Sequence, residues 1–310
     1  MERGMNKAVI VTRKTRLTLL VERYNTVEQA RFYIEHMGED FTDYVTEDRN
    51  YREAVMAVAE AASRFARVQT VDRSFVPSMV FGRDDAVIAV GQDGMVANVM
   101  KYLGGQPLLG VNPDPARWDG VLLPFEAGEI AQLLPKVFSG CYNKKNITMA
   151  EALTRDGQRM LAVNDFFIGI KSHASARYRI RFGKQQENQS SSGIIVSTGL
   201  GSTGWLKSVL AGAAGITRFY GTGERLPADT AFAWDADQLF FAVREPYPSR
   251  ATGADLVFGR ITKNQTLQIV SQMPENGVIF SDGIEADALE FTAGLTATVG
   301  LASHQGKLLV

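Results

Sequence analysis

The sequence predicts two unlike parts, an α/β layered part followed by a β-rich part, and three observations carry that prediction. Through about residue 143, short apolar runs alternate with stretches of helical periodicity, the pattern of a sheet layered with helices. From about residue 144, β-branched and aromatic residues alternate with polar ones, the two-residue period of antiparallel strands. At 310 residues the chain can form about two domains of roughly 150 residues, each burying its own core. The expected division is 1–143 and 144–310, with the last segment free to return to the first domain.

Composition narrows the function classes. The chain is 45% hydrophobic and 22% charged, with 33 Lys plus Arg against 34 Asp plus Glu and a formal net charge of -1. Those values exclude disordered, collagen-like and coiled-coil chains, and the balance removes a global electrostatic attraction for nucleic acid. Cys141 is the single cysteine, so an internal disulfide and a cysteine-pair zinc site are both excluded, and a reducing compartment is expected. The start, MERGMNKAVIV, has no apolar core of signal-peptide length, and no apolar run reaches the roughly 18 residues that span a bilayer. The expectation is a cytoplasmic protein without a membrane partner. His36, His173 and His304 are scattered and no G-x-S-x-G elbow is present, which argues against a Ser-His-Asp hydrolase.

Along the first part, Ala8 to Thr12 (AVIVT) reads as a buried strand followed by a polar connection. Thr26 and Gln29 have the form of a capping box, Val27, Ala30, Ile34 and Met37 lie near one helical face, and Gly38 ends that helix. Tyr51 to Phe65 predicts a second helix, with Val55, Val58, Ala59, Ala62 and Phe65 three or four apart, and a strand follows near Val68 to Val71. Ala86 to Val90 (AVIAV) predicts a continuous apolar strand, Gly91 to Gly94 (GQDG) a tight turn, and Met95 to Leu103 a helix closed by Gly104 and Gly105. Leu108 to Val111 predicts another strand, leading into Asn112, Pro113, Asp114 and Pro115, whose prolines stop any regular element. Both turns then fall at the carboxyl ends of strands, where open α/β sheets bind ligands.

In the second part, strands are predicted around Ala176 to Phe182, Ile194 to Val196, Leu239 to Val243, Leu267 to Val270, Val278 to Phe280 and Thr296 to Val299. The polar stretch Lys184 to Ser192 reads as an exposed hairpin loop.

Three segments could carry chemistry. GQDG follows a strand and opens a helix, so backbone N–H groups and the helix dipole can receive phosphate, while the glycines admit a ligand to the main chain. Asp93 would repel a phosphate unless a metal intervenes or the acid accepts a proton from an attacking hydroxyl. The plainer alternative is a Gly-Asp turn with Asp93 capping the helix that starts near Met95. Gly199 to Gly204 (GLGSTG) fits G-x-G-x-x-G, with Glu224 further on, as in a dinucleotide fingerprint. Bulky Trp205 and charged Lys207 follow at once, however, and the would-be second strand Ile216 to Tyr220 is broken by Thr217 and Arg218. A Gly-Ser loop fits better, and its hydroxyls Ser197, Thr198, Ser202, Thr203 and Ser208 suit a sugar or phosphate. Asn164 and Asp165 together could grip two ribose hydroxyls, or simply form a turn. Walker A is absent, so a phosphate donor is not held by a P-loop.

Taken in order, these segments resemble the NAD kinase family of the diacylglycerol kinase and phosphofructokinase-like superfamily. That family carries a GGDGT turn after a strand, a later Asn-Glu pair, a loop of the form STPTGSTAY with a serine beyond it, and a late Asp-Gly. Here stand GQDGM (Gly91 to Met95), Asn164-Asp165, STGLGSTGW (Ser197 to Trp205), Ser208, and SDG (Ser281 to Gly283). GVNPDPARWDG, VNDFFIG, SSSGIIVSTG and REPYPSR are similar to the mitochondrial-type branch. The resemblance implies a Rossmann-like α/β domain followed by a C-terminal β-sandwich domain, with the active site between them.

It further implies ATP with Mg2+ as phosphoryl donor, NAD as acceptor and a homodimer or larger homo-oligomer. Asp93 would be the base for the ribose 2'-hydroxyl, Gly91, Gln92, Asp93 and Gly94 the donor loop, and Gly94 also a substrate contact. Asn164 and Asp165 would hold the dinucleotide, and Thr203, Gly204, Trp205, Lys207 and Ser208 would line its nicotinamide or adenine side. No residue is assigned to a metal. Gln92 stands for a family glycine, Met95 and Leu200 for threonines, and Asp165 for a glutamate; Ser192, where many members have aspartate, agrees with the mitochondrial-type branch. The expected function is phosphorylation of NAD to NADP. Against it stand a nucleotide-binding sensor or pseudo-kinase, motivated by Gln92 and Met95, a kinase for a related nucleotide or lipid acceptor, and a dehydrogenase using GLGSTG.

Overall fold

The computed structural model describes residues 6–221 and 231–310; Glu224 lies outside them. In chain order the elements are β1 (Lys7–Thr12), α1 (Arg16–Tyr24), α2 (Val27–His36), α3 (Phe41–Ser63), β2 (Arg67–Asp72), β3 (Ala86–Val90), α4 (Asp93–Met100), β4 (Pro107–Val111), α5 (Ile130–Phe138) and β5 (Lys144–Ile147). Then come β6 (Ala150–Thr154), β7 (Arg159–Ala162), β8 (Asp165–Ile170), β9 (Ala176–Phe182), β10 (Gln185–Ser191), β11 (Ile194–Ser197), α6 (Trp205–Tyr220) and β12 (Leu239–Val243). The last are β13 (Phe258–Ile261), β14 (Leu267–Ser271), β15 (Gly277–Ser281), β16 (Ile284–Glu290), β17 (Thr296–Leu301) and β18 (Gly306–Leu309). By internal contacts the chain divides into Met1–Lys145 with Lys307–Val310, and Asn146–Gly306.

The first unit is built on a six-stranded sheet of order β2-β1-β3-β4-β18-β5, in which β1, β2, β3, β4 and β18 pair in parallel. A parallel strand buried on both faces needs a continuous apolar run, and β3 supplies it: all five residues are buried. Tyr51, Ala54, Val58 and Ala62 of α3 and Ile130, Leu134 and Val137 of α5 pack on that sheet. The helix expected from Tyr51 starts at Phe41, because the Asp40 side chain caps it by accepting the Thr42 N–H at 2.8 Å. The supposed polar connection after β1 holds α1, capped by Thr15 and burying no residue fully, whose Leu17, Leu20 and Tyr24 pack against Ala30, Ile34 and Phe41. Thr26 caps α2 through the Gln29 N–H at 3.1 Å, and Gly38 ends it at φ +81°.

A charged network ties α3 to the carboxyl end of β1. Glu47, only 2% exposed, accepts from Arg13 Nη2 at 2.7 Å and Arg16 Nε at 3.1 Å. Asp43 accepts from Arg16 and from both terminal nitrogens of Arg117, and hydrogen bonds from Arg117 first, then Arg16, hold its carboxyl well below the usual range. The Tyr51 hydroxyl accepts the Arg13 N–H at 2.7 Å and donates to Val90 O at 3.1 Å, joining the ends of β1 and β3. Burial pushes that phenol up to about 12.

The second unit holds two six-stranded sheets of orders β10-β9-β14-β17-β6-β7 and β13-β12-β11-β8-β15-β16, with all the recorded strand pairs antiparallel. Their facing residues, among them Tyr178, Ile180, Ile269 and Val299 from one sheet and Phe166, Ile168, Val196 and Phe241 from the other, form one core. This is the sandwich that the resemblance implied. Two local expectations fail. Lys184 to Ser192 is not an exposed loop: it contains β10, whose Gln189, Ser190 and Ser191 are buried. Ser191 Oγ bonds Tyr178 Oη at 2.7 Å and Gln189 Nε2 donates to Leu256 O at 3.1 Å, while Gln189 Oε1 is buried without a partner among the described residues. Ile216 to Tyr220 is not a strand but the last turns of α6.

Deleting the acceptor from a buried ion pair leaves an unpaired charge, at a cost of about 3–5 kcal/mol. Arg13 and Glu47 have side chains only 8% and 3% exposed. Glu47→Ala is therefore expected to lower the unfolding free energy by about that amount in urea denaturation, and Glu47→Gln by less.

Candidate active site

In the first unit the site is built at the carboxyl end of β3. Gly91 follows directly, its N–H bonding Val111 O at 3.2 Å. A Cβ on Gly91 would lie 2.6 Å from Met95 Sδ, so a side chain there would push the end of the Met95 side chain aside. The predicted four-residue turn is shorter than expected: α4 begins at Asp93, with Gln92 as N-cap at φ -124° and ψ 162° and no side-chain capping bond. Asp93 therefore caps nothing. Its Oδ1 instead accepts the Leu122 N–H at 2.7 Å, and Oδ2 has no hydrogen bond among the described residues. Gly94 is exposed, with no atom within 4 Å of where a Cβ would stand. The first N–H groups of a helix lack intrahelical acceptors, so this open turn can receive an anion beside a carboxylate oxygen that is free to take a proton. Met95 is 3% exposed and brings no hydroxyl to the turn.

Leu122 reaches Asp93 because of two glycines and an asparagine. A Cβ on Gly110 in β4 would sit 1.9 Å from Leu122 O, so only glycine lets that segment lie against the strand. Gly120 turns the chain at φ +64°. Asn112 holds the loop, its Oδ1 accepting the Asp114 N–H at 3.0 Å and its Nδ2 donating to Trp118 O at 2.8 Å. The Pro113 and Pro115 stop thus serves to aim a backbone donor at Asp93.

In the second unit Asn164 links β7 to β8, and Asp165 opens β8. Thr198 closes this link on its acceptor side: its Oγ1 donates to Val163 O at 2.5 Å and its N–H to Asn164 O at 2.9 Å. A Cβ on Gly201 would meet Asn164 O at 2.1 Å. The glycines of GLGSTG therefore serve close packing of one backbone on another, and β11 before them lies in an antiparallel sheet, which removes the dinucleotide-fingerprint reading.

The hydroxyls divide. Ser197, Thr198 and Ser202 are buried and donate to Thr198 O, Val163 O and Gly199 O, whereas Thr203 and Ser208 are exposed, as are Gly204 and Lys207. Trp205 is half-buried, stacked on Phe167 at 5.8 Å between ring centres, with the Arg244 guanidinium 5.3 Å over its ring; Phe167 stacks in turn on Phe280 at 4.9 Å.

Asp165 is pushed up to about 7, first by burial and then by the neighbouring Asp282. A carboxyl near neutrality at physiological pH can donate as well as accept. The side chains of Asn164 and Asp165 have no hydrogen-bond partner among the described residues, so both are available to a ligand. Sequence reasoning missed Leu122, which carries no local motif, and gave no role to Phe167 and Arg244, which stand in VNDFFIG and REPYPSR, or to Asp282, although it noted the Asp-Gly pair. Among the described residues no three His, Cys, Asp or Glu side chains converge as a metal site, and no helix is long and apolar enough to cross a membrane.

No protein-family model matches the chain. It is 28% identical over 144 residues to an NAD kinase of Burkholderia pseudomallei (strain K96243), 44% of this chain and 47% of that protein. To an NAD kinase of Burkholderia thailandensis it is 28% identical over 160 residues, 49% of this chain and 52% of that one. The match thus spans about half the length of these relatives. Among solved structures, an NAD kinase from Archaeoglobus fulgidus in complex with ATP superposes with a TM-score of 0.57 at 15% identity, covering 98% of this chain and 93% of that one. Yeast NADH kinase complexed with NADH gives 0.56 at 15% identity, covering 99% and 84%. The fold of the described residues is similar to that of these two structures.

Asp165 carries a stability prediction. Its folded-state pKa is raised to about 7 from 3.8, so between those values the native state binds more protons than the unfolded one, and stability falls as pH rises through that window. Asp165→Asn is expected to flatten this fall and to exceed wild type in urea midpoint at pH 8. Parallel profiles for the two proteins would contradict it.

Proposed function

We propose that this chain belongs to the NAD kinase family and transfers the γ-phosphoryl group of ATP to the 2'-hydroxyl of the adenosine ribose of NAD. The observation that carries the reading is Asp93: a carboxylate at the open first turn of α4, with Oδ1 tied to the Leu122 N–H at 2.7 Å and Oδ2 left to take a proton. In the reaction Asp93 accepts the proton of the 2'-hydroxyl, the new bond forms between that oxygen and the γ-phosphorus, and the bond to the bridging oxygen breaks to release ADP. The N–H groups of Gly91, Gln92, Asp93 and Gly94 receive the donor's phosphates. Asn164 and Asp165 grip ribose hydroxyls, and Trp205 gives a ring face for a base, with Thr203, Gly204, Lys207 and Ser208 beside it.

Mg2+ bound to the nucleotide would share the phosphate charge that otherwise repels Asp93. The reading includes a homo-oligomer, supported by α6: of its sixteen residues only Leu206 is buried, and Ile216, Phe219 and Tyr220 are 63%, 82% and 70% exposed. The exposed lone Cys141 fits a reducing cytoplasm. One observation favours a second reading, a nucleotide-binding sensor with little turnover: buried Met95 and the uncapped Gln92 side chain leave the donor turn with fewer groups for phosphate.

Purified protein incubated with ATP, Mg2+ and NAD is expected to form NADP, with NADH assayed alongside as acceptor. Asp93→Asn should lower kcat by about 10²–10⁴-fold, the usual worth of a general base, with little change in the KM for NAD. No product from wild type, or full activity in Asp93→Asn, overturns the kinase reading. Tight NAD binding by calorimetry without turnover selects the sensor.

A further inference from the structure

The hairpin turn between β15 and β16 consists of Asp282 and Gly283, both left-handed at φ +54° and +72°. Asp-Gly is a common pair for such a turn, so by itself the turn needs no further account. The side chain of Asp282 does. It turns onto the neighbouring β7–β8 link, where Oδ1 accepts the N–H groups of Asn164 at 2.6 Å, Val163 at 3.1 Å and Asp165 at 3.3 Å, and Oδ2 accepts Val163 N–H at 3.1 Å. The Asp282 N–H in turn donates to Asp165 O at 3.0 Å. A turn built only to reverse a hairpin has no use for a carboxylate aimed at three consecutive amides of another segment.

Those amides belong to the two residues proposed to hold the acceptor ribose and the residue before them. Thr198 takes the carbonyls of the same link, Val163 O and Asn164 O, so its donors and acceptors are clamped from opposite sides. Resting on the kinase reading, we infer that Asp282 is a positioning residue for the acceptor nucleotide: by collecting these N–H groups it fixes the direction in which Asn164 and Asp165 present their side chains to the ribose. It touches no substrate in this account. Burial first, and the nearby Asp282 carboxylate second, favour the protonated carboxyl of Asp165, so the group that aims Asp165 also helps to keep it a donor.

The test compares Asp282→Ala with Asp282→Asn. Asparagine tolerates a left-handed backbone and keeps one acceptor oxygen, so it should partly rescue what alanine loses. Asp282→Ala is expected to raise the KM for NAD by about ten-fold or more, since small misplacements of gripping groups are costly, while the KM for ATP and kcat at saturating NAD stay within about two-fold. Amide exchange at residues 163–165 should accelerate in the same order, alanine more than asparagine. An unchanged KM for NAD in Asp282→Ala overturns the inference, as does an equal loss in kcat and in both KM values, which marks a merely structural role. If wild type shows no turnover, the kinase reading falls separately, and NAD affinity by calorimetry decides: ten-fold weaker binding in Asp282→Ala supports the positioning role, and equal or absent binding overturns it. Should the alanine variant fail to fold, Asp282→Asn with wild-type NAD affinity and wild-type exchange overturns it alone.

Discussion

Each of the two candidate sites depends on a carboxylate that collects backbone N–H groups from a segment distant in sequence. In the first unit Asp93 holds Leu122; in the second Asp282 holds the link from Val163 to Asp165. A charge-assisted bond of this kind is about twice as strong as a neutral one, and it fixes main chain rather than a mobile side chain. The glycines serve the same end. Gly110 lets the Leu122 segment lie on β4, and Gly201 lets the α6 approach lie on Asn164 O. Both sites are therefore made of backbone held at contact distance, which suits the recognition of phosphates and sugars by N–H groups and hydroxyls in a chain with no excess of cations.

The two carboxyl groups offered to a ligand differ by environment. Asp93 sits at the positive end of α4, with one oxygen held by the Leu122 amide and the other without a hydrogen bond among the described residues. Asp165 is half-buried, and desolvation first, then the neighbouring Asp282 carboxylate, favour its protonated form. A base and a donor assigned by surroundings rather than by residue type is a familiar division of labour in sites that move protons. Departures from the NAD kinase pattern fall on both sides of this scheme: Gln92 and Met95 alter the phosphate turn, while the acceptor side has Leu200 and the shorter Asp165.

Much of the fold was legible because its signals are local. AVIAV can only be a strand buried on both faces, and the alternation of Ala176, Tyr178, Ile180 and Phe182 can only be a strand buried on one. The misses have physical causes. β10 reads QQENQSS and has no apolar period; it is a strand because its backbone pairs with β9 along its whole length, with Ser191 bonded to Tyr178 of that neighbour. The start of α3 depends on the Asp40 cap rather than on the apolar stripe, and Ile216 to Tyr220 continue a helix whose face carries little burial. Of the site, the glycine turn, Asn164-Asp165 and the Trp205 loop were legible as motifs. Leu122, Arg244 and the grip of Asp282 were not, since each acts through a contact that no sequence spacing encodes.

The central claim, that Asp93 is the base for a ribose hydroxyl, is tested most directly by a structure of the protein with NAD and a non-hydrolysable ATP analogue. The account predicts the adenosine ribose 2'-hydroxyl at about 2.6–3.2 Å from Asp93 Oδ2, with Oδ1 still on the Leu122 N–H. A bound NAD whose ribose hydroxyls lie beyond hydrogen-bond reach of Asp93, or whose diphosphate is wrapped by the GLGSTG segment in the manner of a dehydrogenase, would contradict it.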